Sequence, residues 1–174
     1  MEETTTIVTE TTNDSLVMDE LTESEVRLFV QENADYYLNK WKSTDKTKKA
    51  RWNWAACWGS IFWLGYRKMY KPLIIVIIAI AATDGIELLL HFDSATSKVF
   101  DKLIGIVVYT ILGIFGNNLY YNHVREKIQK IKATGSGENL EPLFKKYGGR
   151  SWKGVGISVL LLLGYVIIIA LISE

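Results

Sequence analysis

The chain has 174 residues, 49% of them hydrophobic, and a formal net charge of +1. A single cysteine excludes an intramolecular disulfide and a cysteine zinc cluster. The near-neutral total hides segregated blocks: residues 1–35 hold ten acids against one base, residues 36–72 nine bases against one acid, and residues 117–153 eight bases against three acids. Because the basic blocks adjoin apolar runs, their expected counter-charge is lipid phosphate, and nucleic acid is not an expected partner.

Residues 1–21 are acidic and threonine-rich without a sustained period, which predicts a disordered tail. They lack a basic segment followed by an apolar core, so no cleavable signal peptide is expected. Thr22 and Glu25 have capping-box spacing, and Val26, Phe29, Val30, Tyr37 and Trp41 follow at helical intervals. One amphipathic helix to about Lys42 is predicted, folded onto the rest of the protein. A polar basic linker completes the unit 22–50.

Residues 51–71, RWNWAACWGSIFWLGYRKMYK, hold seven aromatic residues closed at both ends by lysine and arginine. Trp54, Trp58, Phe62, Tyr66 and Tyr70 recur every fourth residue and share one helical stripe. Aromatic residues with a polar edge, beside basic flanks, belong at the boundary between hydrocarbon and anionic headgroups. Trp52, Trp54, Trp58, Trp63, Tyr66, Arg67, Lys68, Tyr70 and Lys71 are accordingly the expected lipid anchors. The apolar interior is too short to span, and both basic flanks belong on one membrane face. A surface-lying or shallowly dipping helix is therefore expected in preference to a fourth span.

Three later runs, 72–92, 101–120 and 154–172, each approach the ~20 residues that cross a bilayer. The first two form the unit 72–121, a two-helix hairpin, and the third lies in 154–174. Between them, 122–153 is a basic segment with a short amphipathic helix, startable by Asn139, expected to lie on headgroups. The positive-inside rule puts the N-terminus and 122–153 in the cytoplasm and the C-terminus outside. The predicted fold class is thus an all-α membrane protein. It has about three transmembrane helices, an interfacial aromatic helix and short cytoplasmic amphipathic helices.

Chemistry-bearing residues are few. Asp84, Glu87 and His91 share a helical face in the first span, where ionisable groups are costly and mark a proton or ion path. The competing expectation is structural: Asp84-Gly85 breaks the helix, leaving Glu87 and His91 near the outer headgroups. His91 and His123 fall at opposite membrane faces and cannot share a metal, and no nucleotide-binding loop occurs, so no cofactor or metal is expected. Cys57 is read as a buried packing thiol. Gly113, Gly116, Asn117 and Asn118 are expected helix-packing positions, with Gly105, Gly156 and Gly164 as further close-contact sites.

Residues 29–42, 52–70 and 113–128 resemble a family of small bacterial membrane proteins. Its domain of unknown function is built around N-W-x-A, F-W and Y-R-K-M-Y. The resemblance rests on Asn33-Ala34-Asp35-Tyr36-Tyr37, Asn53-Trp54, Phe62-Trp63, Tyr66-Arg67-Lys68-Met69-Tyr70 and Gly116-Asn117. It implies a bacterial inner-membrane protein and no reaction. Cys57, Ser60 and Ile61 stand where the family commonly has phenylalanine, glycine and proline, which predicts a smoother helix here. The function expected is a non-enzymatic subunit, scaffold or regulator working through its cytoplasmic face, with a membrane-protein partner or a second copy. The alternative is a proton- or ion-coupled transport component.

Overall fold

Thr22 starts the first helix: its Oγ1 accepts from the Glu25 N–H while Glu25 Oε2 accepts from the Thr22 N–H, closing a capping box. The computed structural model describes residues 21–42, 52–135 and 139–172. In chain order the helices are α1 (Glu23–Val30), α2 (Ala34–Lys42), α3 (Trp54–Tyr66), α4 (Tyr70–Leu89), α5 (Ser94–Thr134), α6 (Glu141–Tyr147) and α7 (Trp152–Ile172). No strand occurs among the described residues. Residues 1–20, with most of the expected tail, 43–51, with the expected linker, 136–138 and 173–174 lie outside them. Leu21, counted with the tail above, is buried.

The single helix expected over 22–42 is two. Gln31 (φ 59°) and Asn33 (φ 65°) break it. The periodicity carried no sign of this, because Val26, Phe29, Val30, Ala34, Tyr37, Leu38 and Trp41 would share a face in an unbroken helix too. The break comes from another segment. The Gly149 N–H takes the Phe29 carbonyl at 2.7 Å, the acceptor that a continuous helix would offer to Asn33. Gln31 Nε2 meanwhile donates to the Lys145 carbonyl at 2.9 Å. Glu25 reaches α5 through Lys132 at 2.8 Å. Burial alone would raise the Glu25 carboxyl, but hydrogen bonds from Lys132 and Thr22 outweigh it and hold it below the usual range.

α3 is wedged between α5 and α7. Its 13 residues fall short of the ~20 that cross a bilayer. Both of its ends stay at the layered end of the molecule. The Asn53 N–H bonds the Gly113 carbonyl at 2.8 Å, and the Tyr66 carbonyl accepts from Ser151 at 2.9 Å. Between them α3 bends at Ser60 (φ 43°, ψ −125°), which overturns the smoother helix expected there. A bend at positive φ without glycine costs free energy and persists only where packing over-determines it. Here Ser60 is buried, and next to it the Ile61 carbonyl accepts from Ser158 Oγ at 3.2 Å. Further along, Gly65 and Gly154 meet so closely that a Cβ on either would lie inside the other's backbone.

α4, α5 and α7 are long and apolar enough to cross a membrane. At ~1.5 Å per residue a 20-residue helix is about 30 Å long. α3 and α4 are joined by a tight helix stop at Lys68 (φ 58°), with Lys68 N–H to Gly65 O and Met69 N–H to Leu64 O. α5 runs on past its apolar part, burying Val124, Ile128 and Ile131 against the α1–α2 layer. The amphipathic helix expected on headgroups, α6, packs on α1 and α5. Phe144 is its buried anchor, and Tyr147 is left exposed. Asn139 Oδ1 does accept from the Glu141 N–H at its start.

Gly154→Ala should lower stability by about 1–3 kcal/mol, since backbone, not a movable side chain, occupies the space. Gly156 has nothing within 4 Å of an added Cβ, so Gly156→Ala should be neutral or stabilising by up to about 1 kcal/mol. Thermal unfolding of both variants in one detergent checks the contrast.

Candidate functional site

At the end away from α1, α2 and α6, the three long helices splay around a cavity of about 1180 Å³. Its far wall is the bend of α3, through Trp58, Ser60, Ile61 and Phe62. α4 contributes Asp84 and Glu87, which are three residues apart and so fall on one face. α5 adds Asp101 from its second turn. One carboxylate oxygen from each of the three acids lies within 4.8 Å of the others. Tyr165 on α7 donates its hydroxyl to Asp84 Oδ2. Glu87 Oε1 is shielded from solvent and has no hydrogen-bond partner among the described residues. Apart from this cluster the wall is mostly aliphatic and aromatic, and no lysine or arginine lines it among the described residues.

The structure treats the sequence-predicted residues unequally. Asp84 and Glu87 face the cavity. His91 does not continue their face: it is the left-handed residue (φ 53°) that stops α4, with His91 N–H to Leu88 O and Phe92 N–H to Glu87 O. It is exposed at the cavity mouth. The helix break expected at Asp84-Gly85 is absent, for α4 is continuous from Tyr70 to Leu89. Asp101 and Tyr165 were missed. Asp101 stood at the first residue of a predicted span, where an acid reads as a boundary. Tyr165 is the lone aromatic residue of the predicted run 154–172, and that oddity was the available signal. His91 and His123 are separated by the length of α5 between them, on the order of 40 Å.

The expected anchoring set also divides. Trp54, Trp58, Tyr70 and Lys71 are exposed. Trp52, Trp63 and Arg67 turn inward, which corrects their reading as headgroup contacts. The Trp52 ring covers Gly113, and Trp63 packs edge-on to Tyr120. Arg67 is only 5% exposed. Its guanidinium lies 5.0 Å from the ring centres of both Tyr37 and Tyr120. Nη1 approaches the Tyr120 hydroxyl at 3.5 Å, and Nε has no partner among the described residues. The arginine is drawn in because α2 and α5 present ring faces there, and such faces attract a cation. Lys68 Nζ caps the end of α6 at the carbonyls of Lys146 and Gly148, and burial lowers its ammonium. The Tyr66 hydroxyl accepts from Arg150 at 3.3 Å.

Of the expected packing positions, Gly116 receives the Ala56 methyl, and Asn117 Oδ1 accepts from Asn53 Nδ2 at 2.9 Å. Asn118 is exposed. Gly105, Gly156 and Gly164 meet no neighbouring element within 4 Å. Cys57 is buried and free.

A family model described as "Protein of unknown function (DUF2628)" matches residues 18–125. The match runs from before α1 into α5, taking in Asp84, Glu87 and Asp101 but not Tyr165. No curated protein matches the chain, and no solved structure matches it.

Three carboxylates this close repel one another when ionised. If they serve a ligand and not the fold, Asp84→Asn with Glu87→Gln should raise stability by about 1 kcal/mol. A fall in the melting temperature of the purified double variant would assign the cluster to structure instead.

Proposed function

The chain belongs to the DUF2628 family of proteins of unknown function, and on that premise we propose that it is a multi-pass bacterial inner-membrane protein. In this reading it is a non-enzymatic subunit, scaffold or regulator whose cytoplasmic layer makes its contacts. One observation carries the membrane placement. Only 6% of the apolar window of α4, and 6% of that of α7, is buried within the protein. Water is a poor solvent for so much aliphatic surface, whereas hydrocarbon of about 30 Å thickness matches these helix lengths. The lysine and arginine bias of the flanks supports a cytoplasmic N-terminus and 122–153 segment and an external C-terminus. α3 would then be a re-entrant element entering and leaving on the cytoplasmic face, with Trp54, Trp58 and Tyr70 toward lipid.

The convergence of Asp84, Glu87, Asp101 and Tyr165 favours a second reading, a proton- or ion-coupled component. Carboxylates at membrane depth are costly and tend to be functional.

Topology is tested by single cysteines at Ser94, Ser136 and Ser173 in a Cys57→Ser background. Impermeant reagent added outside intact cells should label positions 94 and 173 and spare 136; labelling of 136 would sink the arrangement. For the second reading, reconstituted protein should dissipate an imposed pH gradient, and Asp84→Asn with Glu87→Gln should abolish this. Undiminished dissipation by the double variant would remove that reading.

A further inference from the structure

The cavity between α4, α5 and α7 has a chemistry that selects its occupant. Resting on the reading that places these helices in a bilayer, we propose that it binds an amphiphilic organic cation, an apolar body carrying one ammonium-like or phosphonium-like head. Four observations converge on this. The volume, about 1180 Å³, suits a drug-sized molecule and greatly exceeds what a proton or a bare metal ion needs. Ile80, Ile104, Val108 and Leu162 supply aliphatic wall, and Phe62 and Tyr109 supply aromatic rings, which favour a cation over an anion. The Asp84–Glu87–Asp101 cluster gives one end negative charge, with no lysine or arginine on the wall among the described residues and His91 only at the mouth. Glu87 Oε1 is shielded and unpartnered, although Tyr165 already serves Asp84, so a donor or positive charge is wanted at Glu87.

A lipid tail would satisfy the aliphatic wall but leave the carboxylates unpaired in hydrocarbon. A hard metal ion would satisfy the carboxylates and leave most of the volume empty. An amphiphilic cation meets both demands at once.

Two probes of matched shape and opposite charge test this: tetraphenylphosphonium and tetraphenylborate, added to the full chain in lipid nanodiscs. Tetraphenylphosphonium should bind saturably at about one per chain, and Asp84→Asn with Glu87→Gln should weaken it about tenfold or more. Tetraphenylborate should only partition, without saturation and without response to the variant. Tyr165→Phe, which keeps the ring, provides a second variant if the double variant misfolds, and should also shift tetraphenylphosphonium affinity. Equal binding of the two probes, affinity indifferent to the acids, or full displacement by millimolar magnesium would overturn the proposal. A chain that labels with the expected topology yet shows no saturable site defeats this proposal alone. A chain that labels otherwise defeats the membrane reading and the proposal with it.

Discussion

Asn53 holds the arrangement on which the rest depends. Its side chain accepts from the Ala56 N–H at 2.9 Å, so it starts α3, and donates to Asn117 at 2.9 Å, so it fastens that start to α5. Its own N–H takes the Gly113 carbonyl, and the whole residue is buried. A buried amide with each of these groups paired is satisfied in one geometry and costly in any other. That geometry requires small residues on α5, which Gly113 and Gly116 supply by leaving room for the Trp52 ring and the Ala56 methyl. Once α3 is fixed against α5, the close approach of Gly65 and Gly154 fixes α7 on its other side.

The wedge has two consequences of opposite character. At the end where α3 begins and finishes, α1, α2, α5 and α6 close around Tyr120, Trp41, Trp63 and Leu64 in a packed core. Away from it, past the bend at Ser60, α4, α5 and α7 have little to touch but one another and separate around the cavity. Core and cavity are thus two faces of one packing decision. Such a division is compatible with a membrane protein, whose packed end suits water and whose open, apolar end suits hydrocarbon.

Legibility followed the range of the interactions. The capping box at Thr22 and Glu25 and the three apolar runs could be read because their causes are local, lying within a few residues or in the solvent that a run of side chains demands. Asp84 and Glu87 could be paired because helix geometry puts residues three apart on one face. His91 was misplaced by the same rule, since the helix stops just before it. The α1–α2 break, the bend at Ser60 and the burial of Arg67 were invisible because each is imposed by a distant segment. Gly149 takes the Phe29 carbonyl, Ser158 holds Ile61, and Tyr37 and Tyr120 receive the guanidinium.

By itself the sequence determined which stretches are apolar enough to leave water, where charge is segregated, and the resemblance to a family of unknown function. Only the tertiary structure decided which aromatic residues face inward, that α3 bends with Ser60 at positive φ, and that Asp101 and Tyr165 join Asp84 and Glu87. The physical reason is that hydrophobicity and helical period act residue by residue along the chain. The meeting of four polar side chains from three helices depends on how those helices are spaced, and that spacing is set by the wedge.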